Sequence, residues 1–310
     1  MSLESKVNIL LDRASLLRSV RSFFHDKGVI EVDTPLLYEY PNLDTHIELI
    51  TAFDGKHKRY LHSSPEFGMK RLLSVMKKDI YQLSHVFRAL EVGKKHNPEF
   101  TMIEWYRTDK SLEFLIQECL EVIKLFFPIT NYVKVHYYDI FLEVTGIDIS
   151  KKIDESSLDL FLKKNSIDYP SSINAFDKID LIFSYFIEPM FQELTVIEGF
   201  PHWQKALAKV QISPKGLETR RFEIFYKGVE LANGYDELLD TKEQKNRFDE
   251  VLKEREALGK PEYAIDSRFL KALEHLPACV GVAMGFDRLM MLRHNVATIE
   301  SVLPFSWSEI

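Results

Sequence analysis

Cysteine is scarce: only Cys119 and Cys279 occur among 310 residues. The chain therefore has no disulfide framework and no CxxC pair for zinc or redox chemistry. Both thiols read as buried apolar side chains in a reducing compartment. Glycine and proline, 12 of each, are scattered; no flexible linker or internal repeat divides the chain. No run approaches the roughly 20 apolar residues that cross a bilayer. The best candidate, 181–191, is broken by Glu188 and Pro189. Glu4, Lys6 and Asp12 stand where a signal peptide needs an apolar core, so a cytoplasmic protein outside the membrane is expected. An excess of positive charge is also missing, since 40 basic against 47 acidic side chains leave a net charge of −7. That balance argues against a sequence-independent grip on nucleic acid, which needs a concentrated basic face. The P-loop, the Rossmann glycine fingerprint, HExxH and GxSxG are absent too. Any nucleotide chemistry belongs to another fold.

What is present is an ordinary globular composition, 45% apolar and 28% charged. One dominant domain over 1–310 is the simplest organisation. Apolar residues from Ile9 to Phe24 follow helical spacing over 4–27, and Gly28 supplies the stop. Val29–Asp33 alternates like a short strand closed by Thr34-Pro35. Ile80–Arg88 and Phe100–Tyr106 read as two strands of a long-looped antiparallel hairpin. A helical insertion is expected at about 150–190. Arg221–Gly234 reads as a second hairpin turning near Lys227-Gly228, and Val280–Met284 as a strand entering a helix from Phe286. Together these predict an α+β fold with a mainly antiparallel sheet flanked by helices.

Three constellations could carry chemistry. Period two places Phe100, Met102, Glu104 and Tyr106 on one strand face. Taken alone, Glu104 reads as a solvent-facing strand residue and Arg88 as an exposed strand end. Between them lie Lys94, Lys95, His96 and Asn97, donors suited to phosphate, beside the aromatic ring of Phe100. In the second hairpin, Glu223 and Glu230 flank the turn, and Asn233 and Glu237 follow. Each acid alone suits a solvated face; as a pair they suit magnesium. In GVAMGFDRLMML, Gly281, Ala283 and Gly285 permit close approach of a ligand or backbone, and Arg288 sits in the first turn of the next helix, where an anion would be held.

These residues, in this order, resemble the catalytic core of the class II lysyl-tRNA synthetases. Motif 1 resembles the opening helix with Val32-Asp33-Thr34-Pro35; motif 2 is similar to Phe87-Arg88 through HNPEFTMIEWY; motif 3 resembles GVAMGFDRL. Within that family, SSPEFGMKRLL, ELANGYDEL and Ala283 look most like the shortened paralogues that lack the anticodon-binding domain and attach β-lysine to a lysine of translation elongation factor P. The early start of the opening helix agrees with a core standing alone, without tRNA anticodon recognition.

The resemblance implies roles. Arg88 and Arg288 would be catalytic. ATP would be held by Arg88, His96, Asn97, Phe100, Glu230, Leu231, Gly285 and Arg288, with Phe100 and Arg288 sandwiching adenine. The substrate pocket would comprise Ser64, Glu66, Glu104, Tyr106, Asn233, Glu237 and Ala283. Glu223 and Glu230 would hold Mg2+. Its converging carboxylates would be costly unless the ligand brings positive charge, which lysine or β-lysine does. A homodimer through motif 1 is implied, with elongation factor P as acceptor. One departure stands out: the family's Asn-Glu after Phe-Arg is Ala89-Leu90 here, so Glu91 could replace the lost carboxylate only if the loop backbone rotates. Two other readings are a free-standing core that charges tRNA and a binding protein without catalysis.

Overall fold

The computed structural model describes residues 3–129, 131–151, 153–170 and 173–310. Lys152, Ser171 and Ser172, within the expected insertion, lie outside the described residues. The chain forms two compact units: Met1–Pro128 with Glu237–Ile310, and Ile129–Asp236.

The first unit opens with α1 (Leu3–Asp26), which buries Leu16, Val20 and Phe24. Gly28 follows in the left-handed region, as the sequence predicts. The strand expected over 29–33 shrinks to β1 (Ile30–Glu31), a two-residue edge strand that ends before the proline. Next come β2 (Leu37–Tyr38), β3 (Thr51–Phe53) and β4 (Lys58–Leu61), a small antiparallel sheet in the order β2-β4-β3. Helix α2 (Glu66–Met76) leads to β5 (Ile80–Phe87) and β6 (Glu99–Thr108), the long-looped hairpin, which pairs from Ile80 opposite Tyr106 to Phe87 opposite Glu99. Helix α3 (Leu112–Phe126) is capped by the Ser111 side chain.

In the second unit, β7 (Val133–His136) precedes α4 (Tyr137–Thr145), α5 (Glu155–Lys164) and α6 (Ala175–Ile182). A π-helical stretch, Phe183–Ile187, and a short 3-10 turn, Glu188–Met190, continue α6. Helices therefore lie at Glu155–Lys164 and over 175–190 within 150–190, and this part packs around Tyr137, Phe141, Leu158, Leu162 and Ile179. Tyr137 and Phe183 stack with ring centroids 4.5 Å apart. Strands β8 (Thr195–Pro201), β9 (Val210–Ser213), β10 (Gly216–Tyr226) and β11 (Val229–Asp236) complete the unit in the order β11-β10-β8-β7, with β9 on β10. The β10–β11 turn falls at Lys227-Gly228, both with positive φ, as a two-residue hairpin requires.

The chain then returns to the first unit through α7 (Thr241–Ala257), α8 (Ser267–Leu273), β12 (Cys279–Gly285) and α9 (Phe286–Arg293). Its sheet runs β1-β5-β6-β12, with β1 parallel to β5 and the other pairs antiparallel. Strand β6 is therefore interior, and this overturns the solvent-facing reading of Glu104. Buried Asp287 accepts from the Arg13 guanidinium and, at 2.6 Å, from the Thr101 amide, tying α1, β6 and α9 together. Both cysteines are buried. Among the described residues no helix is long and apolar enough to cross a membrane.

Candidate active site

A buried polar cluster in the first unit is built on β6. Glu104 is 2% exposed, and its two oxygens accept from the Ser64 hydroxyl at 2.7 Å and the Tyr106 hydroxyl at 2.7 Å. Burial, with nearby Glu66, pushes its carboxyl up to about 7. Tyr106 is raised well above the usual phenol range by burial and by Glu104. Across the ladder Ala283 stands opposite Glu104 and Gly281 opposite Tyr106. A Cβ at Gly281 would lie 2.4 Å from Tyr106 Cε1 and 2.5 Å from Glu237 Oε1, so close packing, not a turn, demands glycine here.

Glu66, at the start of α2, and Glu237 enter the same cluster on the ammonium of Lys70. Lys70 Nζ lies 2.5 Å from Glu66 Oε1 and 2.6 Å from Glu237 Oε2, and 5.8 Å from the Tyr106 ring centroid. This corrects the expectation that a ligand supplies all the positive charge. Glu66 and Lys70 are one helical turn apart in the Glu-before-Lys order that favours pairing, a signal present in the sequence spacing itself. Burial alone would lower the Lys70 ammonium, but Glu237 and Glu66 reverse this and hold it above the ordinary range. Burial pushes the Glu237 carboxyl up, against the pull of Lys70.

Arg88 follows the end of β5. Its Nε is buried and has no hydrogen-bond partner among the described residues, its guanidinium lies 5.2 Å from the Phe100 centroid, and Nη1 is 3.9 Å from Glu91 Oε1. The intervening Leu90 has φ +67 and is 84% exposed. Glu91, the residue after this left-handed one, lies on the Arg88 side of the loop. Asn97 donates to the Glu99 carbonyl at 2.7 Å and accepts from the Trp307 amide at 3.0 Å. Arg288, in the first turn of α9, donates to His96 Nε2 at 2.8 Å. Gly285 is the N-cap of α9.

In the second unit, Glu223 pairs with Asn233 in the β10–β11 ladder, and a bulge sets Glu230 opposite Phe225. Glu223 is buried rather than solvated. The Arg221 guanidinium is ion-paired to it and also donates to Asn233 Oδ1 at 3.1 Å. Burial pushes the Glu223 carboxyl up; Arg221 opposes that, while Glu230 and Glu188 add to it. Arg221 is a partner that sequence reasoning did not anticipate. Leu231 lies buried on β11 and Glu230 is half-buried.

A family model, tRNA synthetases class II (D, K and N), matches residues 2–309. The elongation factor P–(R)-β-lysine ligase of Avibacterium paragallinarum is 37% identical over 311 residues, covering 97% of this chain and 96% of that protein. Its namesake in Histophilus somni (strain 2336) is 38% identical over 312 residues, with the same coverage of both chains. That of Buchnera aphidicola subsp. Acyrthosiphon pisum (strain APS) is 36% identical over 315 residues, again 97% and 96%. The chain belongs to the class II tRNA synthetase family.

Class II synthetase-type ligases use ATP, and the residues of the first unit fit such a ligand. Among the described residues the buried Nε of Arg88 is a donor without an acceptor, and the Phe100 ring lies beside its guanidinium. For magnesium the second unit offers hard carboxylate oxygens at Glu223 and Glu230 whose mutual repulsion a cation relieves. Arg221 already shares Glu223. Among the described residues no group of three or more His, Cys, Asp or Glu is gathered as a metal cage.

Proposed function

We propose that the protein activates lysine or (R)-β-lysine with ATP and transfers the acyl group to a lysine side chain of translation elongation factor P. The observation that carries this reading is the buried pocket of Glu66, Glu104 and Glu237, with Glu104 fixed by two hydroxyl donors and Ala283 opposite it. Such a pocket selects cationic side chains and rejects neutral or acidic ones. The relatives named elongation factor P–(R)-β-lysine ligase support the same assignment.

In the proposed first step the amino-acid carboxylate attacks the α-phosphorus of ATP, forming the acyl-adenylate and releasing pyrophosphate. In the second, the acceptor amine attacks the activated carbonyl, AMP leaves, and the amine loses a proton. Arg88 would hold the α-phosphate and substrate carboxylate. Phe100 and Arg288 would flank adenine, and His96, Asn97 and Gly285 of the same unit would line the nucleotide. In the first unit Ser64, Glu66, Glu104, Tyr106, Glu237 and Ala283 would receive the amino acid. Glu223 and Glu230 would hold Mg2+, which neutralises phosphate charge when bound. Positioning and charge stabilisation supply most of the rate. A homodimer is part of the proposal: Leu3, Val7 and Leu11 are exposed at successive turns of α1, an apolar stripe suited to a partner copy.

The test is pyrophosphate exchange into ATP with lysine, (R)-β-lysine or no amino acid, followed by label transfer to elongation factor P or to tRNA in parallel. Exchange dependent on a diamino acid and transfer to elongation factor P are expected. Transfer to tRNA alone would replace this reading with the tRNA-charging core.

A further inference from the structure

Lys70 belongs to none of the roles above, yet it lies at the centre of the pocket. It is 1% exposed, fully within the protein, and its ammonium bridges one carboxylate from α2 and another 167 residues later in the chain. A surface Glu–Lys pair on a helix contributes only a few tenths of a kcal/mol and needs no third partner. A buried ammonium between two buried carboxylates is different, because each group depends on the other for its charge. Glu104 is left as the one pocket carboxylate with no ion pair among the described residues. It is held by hydroxyl donors instead. With all four groups ionised, Glu66, Glu104, Glu237 and Lys70 sum to two negative charges, the number that the two ammonium groups of a diamino acid neutralise.

We infer that Lys70 is a positioning residue for the amino-acid pocket: its ammonium clamps Glu66 and Glu237 as oriented anions and sets the pocket's charge to match a diamino acid. This rests on the proposed substrate class. Without Lys70, Glu66 and Glu237 repel each other in a buried space and are relieved by taking up a proton, so the pocket loses the charge and orientation that a cationic substrate needs.

Lys70→Met keeps the length of the side chain and removes the charge. Wild-type protein in the same lysine-dependent exchange assay is the control; no exchange by the wild type would defeat the substrate reading itself. Given wild-type exchange, Lys70→Met should raise KM for lysine roughly 10–100-fold, the scale on which orienting partners act, with kcat changed far less. An unchanged KM beside a lowered melting temperature would reduce Lys70 to a structural role and overturn the inference. A lowered KM would overturn it too, since Lys70 would then compete with substrate. A second variant, Lys70→Ala, creates the space for propylammonium, the missing part of the side chain. Adding propylammonium should restore both folding and a low KM in Lys70→Ala while giving the wild type no gain. Lack of rescue, including the case where Lys70→Met does not fold, counts against the clamp.

Discussion

Tyr106 donates its phenolic hydrogen to Oε1 of Glu104, two residues earlier on the same strand, at 2.7 Å. The period of two makes them neighbours on one face. Ser64 takes the other oxygen at the same distance. Both donors favour the ionised carboxylate while burial disfavours it, and Glu104 therefore titrates near neutrality.

That balance sets a pH dependence. The Glu104 carboxyl is raised to about 7, above an unfolded value of about 4.3. Between those values the folded state holds the proton more tightly, so unfolding free energy falls as pH rises through the window and stays lowered above it. The melting temperature of ligand-free protein should drop between about pH 5 and pH 7, and Glu104→Gln should flatten the drop. Lysine affinity should move the opposite way, tightening as Glu104 ionises near pH 7; calorimetric titration on both sides of that pH checks it.

Gly281→Ala places a methyl group 2.4 Å from Tyr106 and 2.5 Å from Glu237. Overpacking of this kind destabilises by about 1–3 kcal/mol, and the displaced Tyr106 ring should raise KM for the amino acid. Urea unfolding and steady-state exchange read the two effects separately.

Arg88→Ala removes the orphaned donor beside Phe100. Exchange should fall by roughly 100-fold or more, the scale for losing one charge-stabilising group, while the melting temperature changes little. Activity equal to wild type would leave the resemblance as one of fold alone.

Leu90 places an exposed side chain in the left-handed region, a conformation that disfavours leucine by about 1–2 kcal/mol. Leu90→Asn should stabilise the protein by about 0.5–1 kcal/mol, since asparagine tolerates that backbone. The Glu91 carboxylate should stay near Arg88, and exchange should persist. Equilibrium unfolding gives the stability change, and Glu91→Gln shows whether that carboxylate aids nucleotide use.

Much of the fold was legible in the residue pattern, because local rules suffice for it. The 3.6 period and Gly28 marked α1, aromatic and branched runs marked β5 and β6, and Lys227-Gly228 marked the β10–β11 turn. The ordered motifs were enough to indicate the family, since each keeps a fixed spacing of residues along a short stretch of chain. Tertiary structure decided what spacing along the chain cannot. Whether Glu104 faces water depends on β12 pairing with β6, and where Glu91 lies relative to Arg88 depends on the loop backbone. The charge of the pocket depends on Lys70 meeting Glu237 across 167 residues. A carboxylate's role is set by what surrounds it in three dimensions, because burial and neighbouring charge, not identity, fix its protonation and its partner.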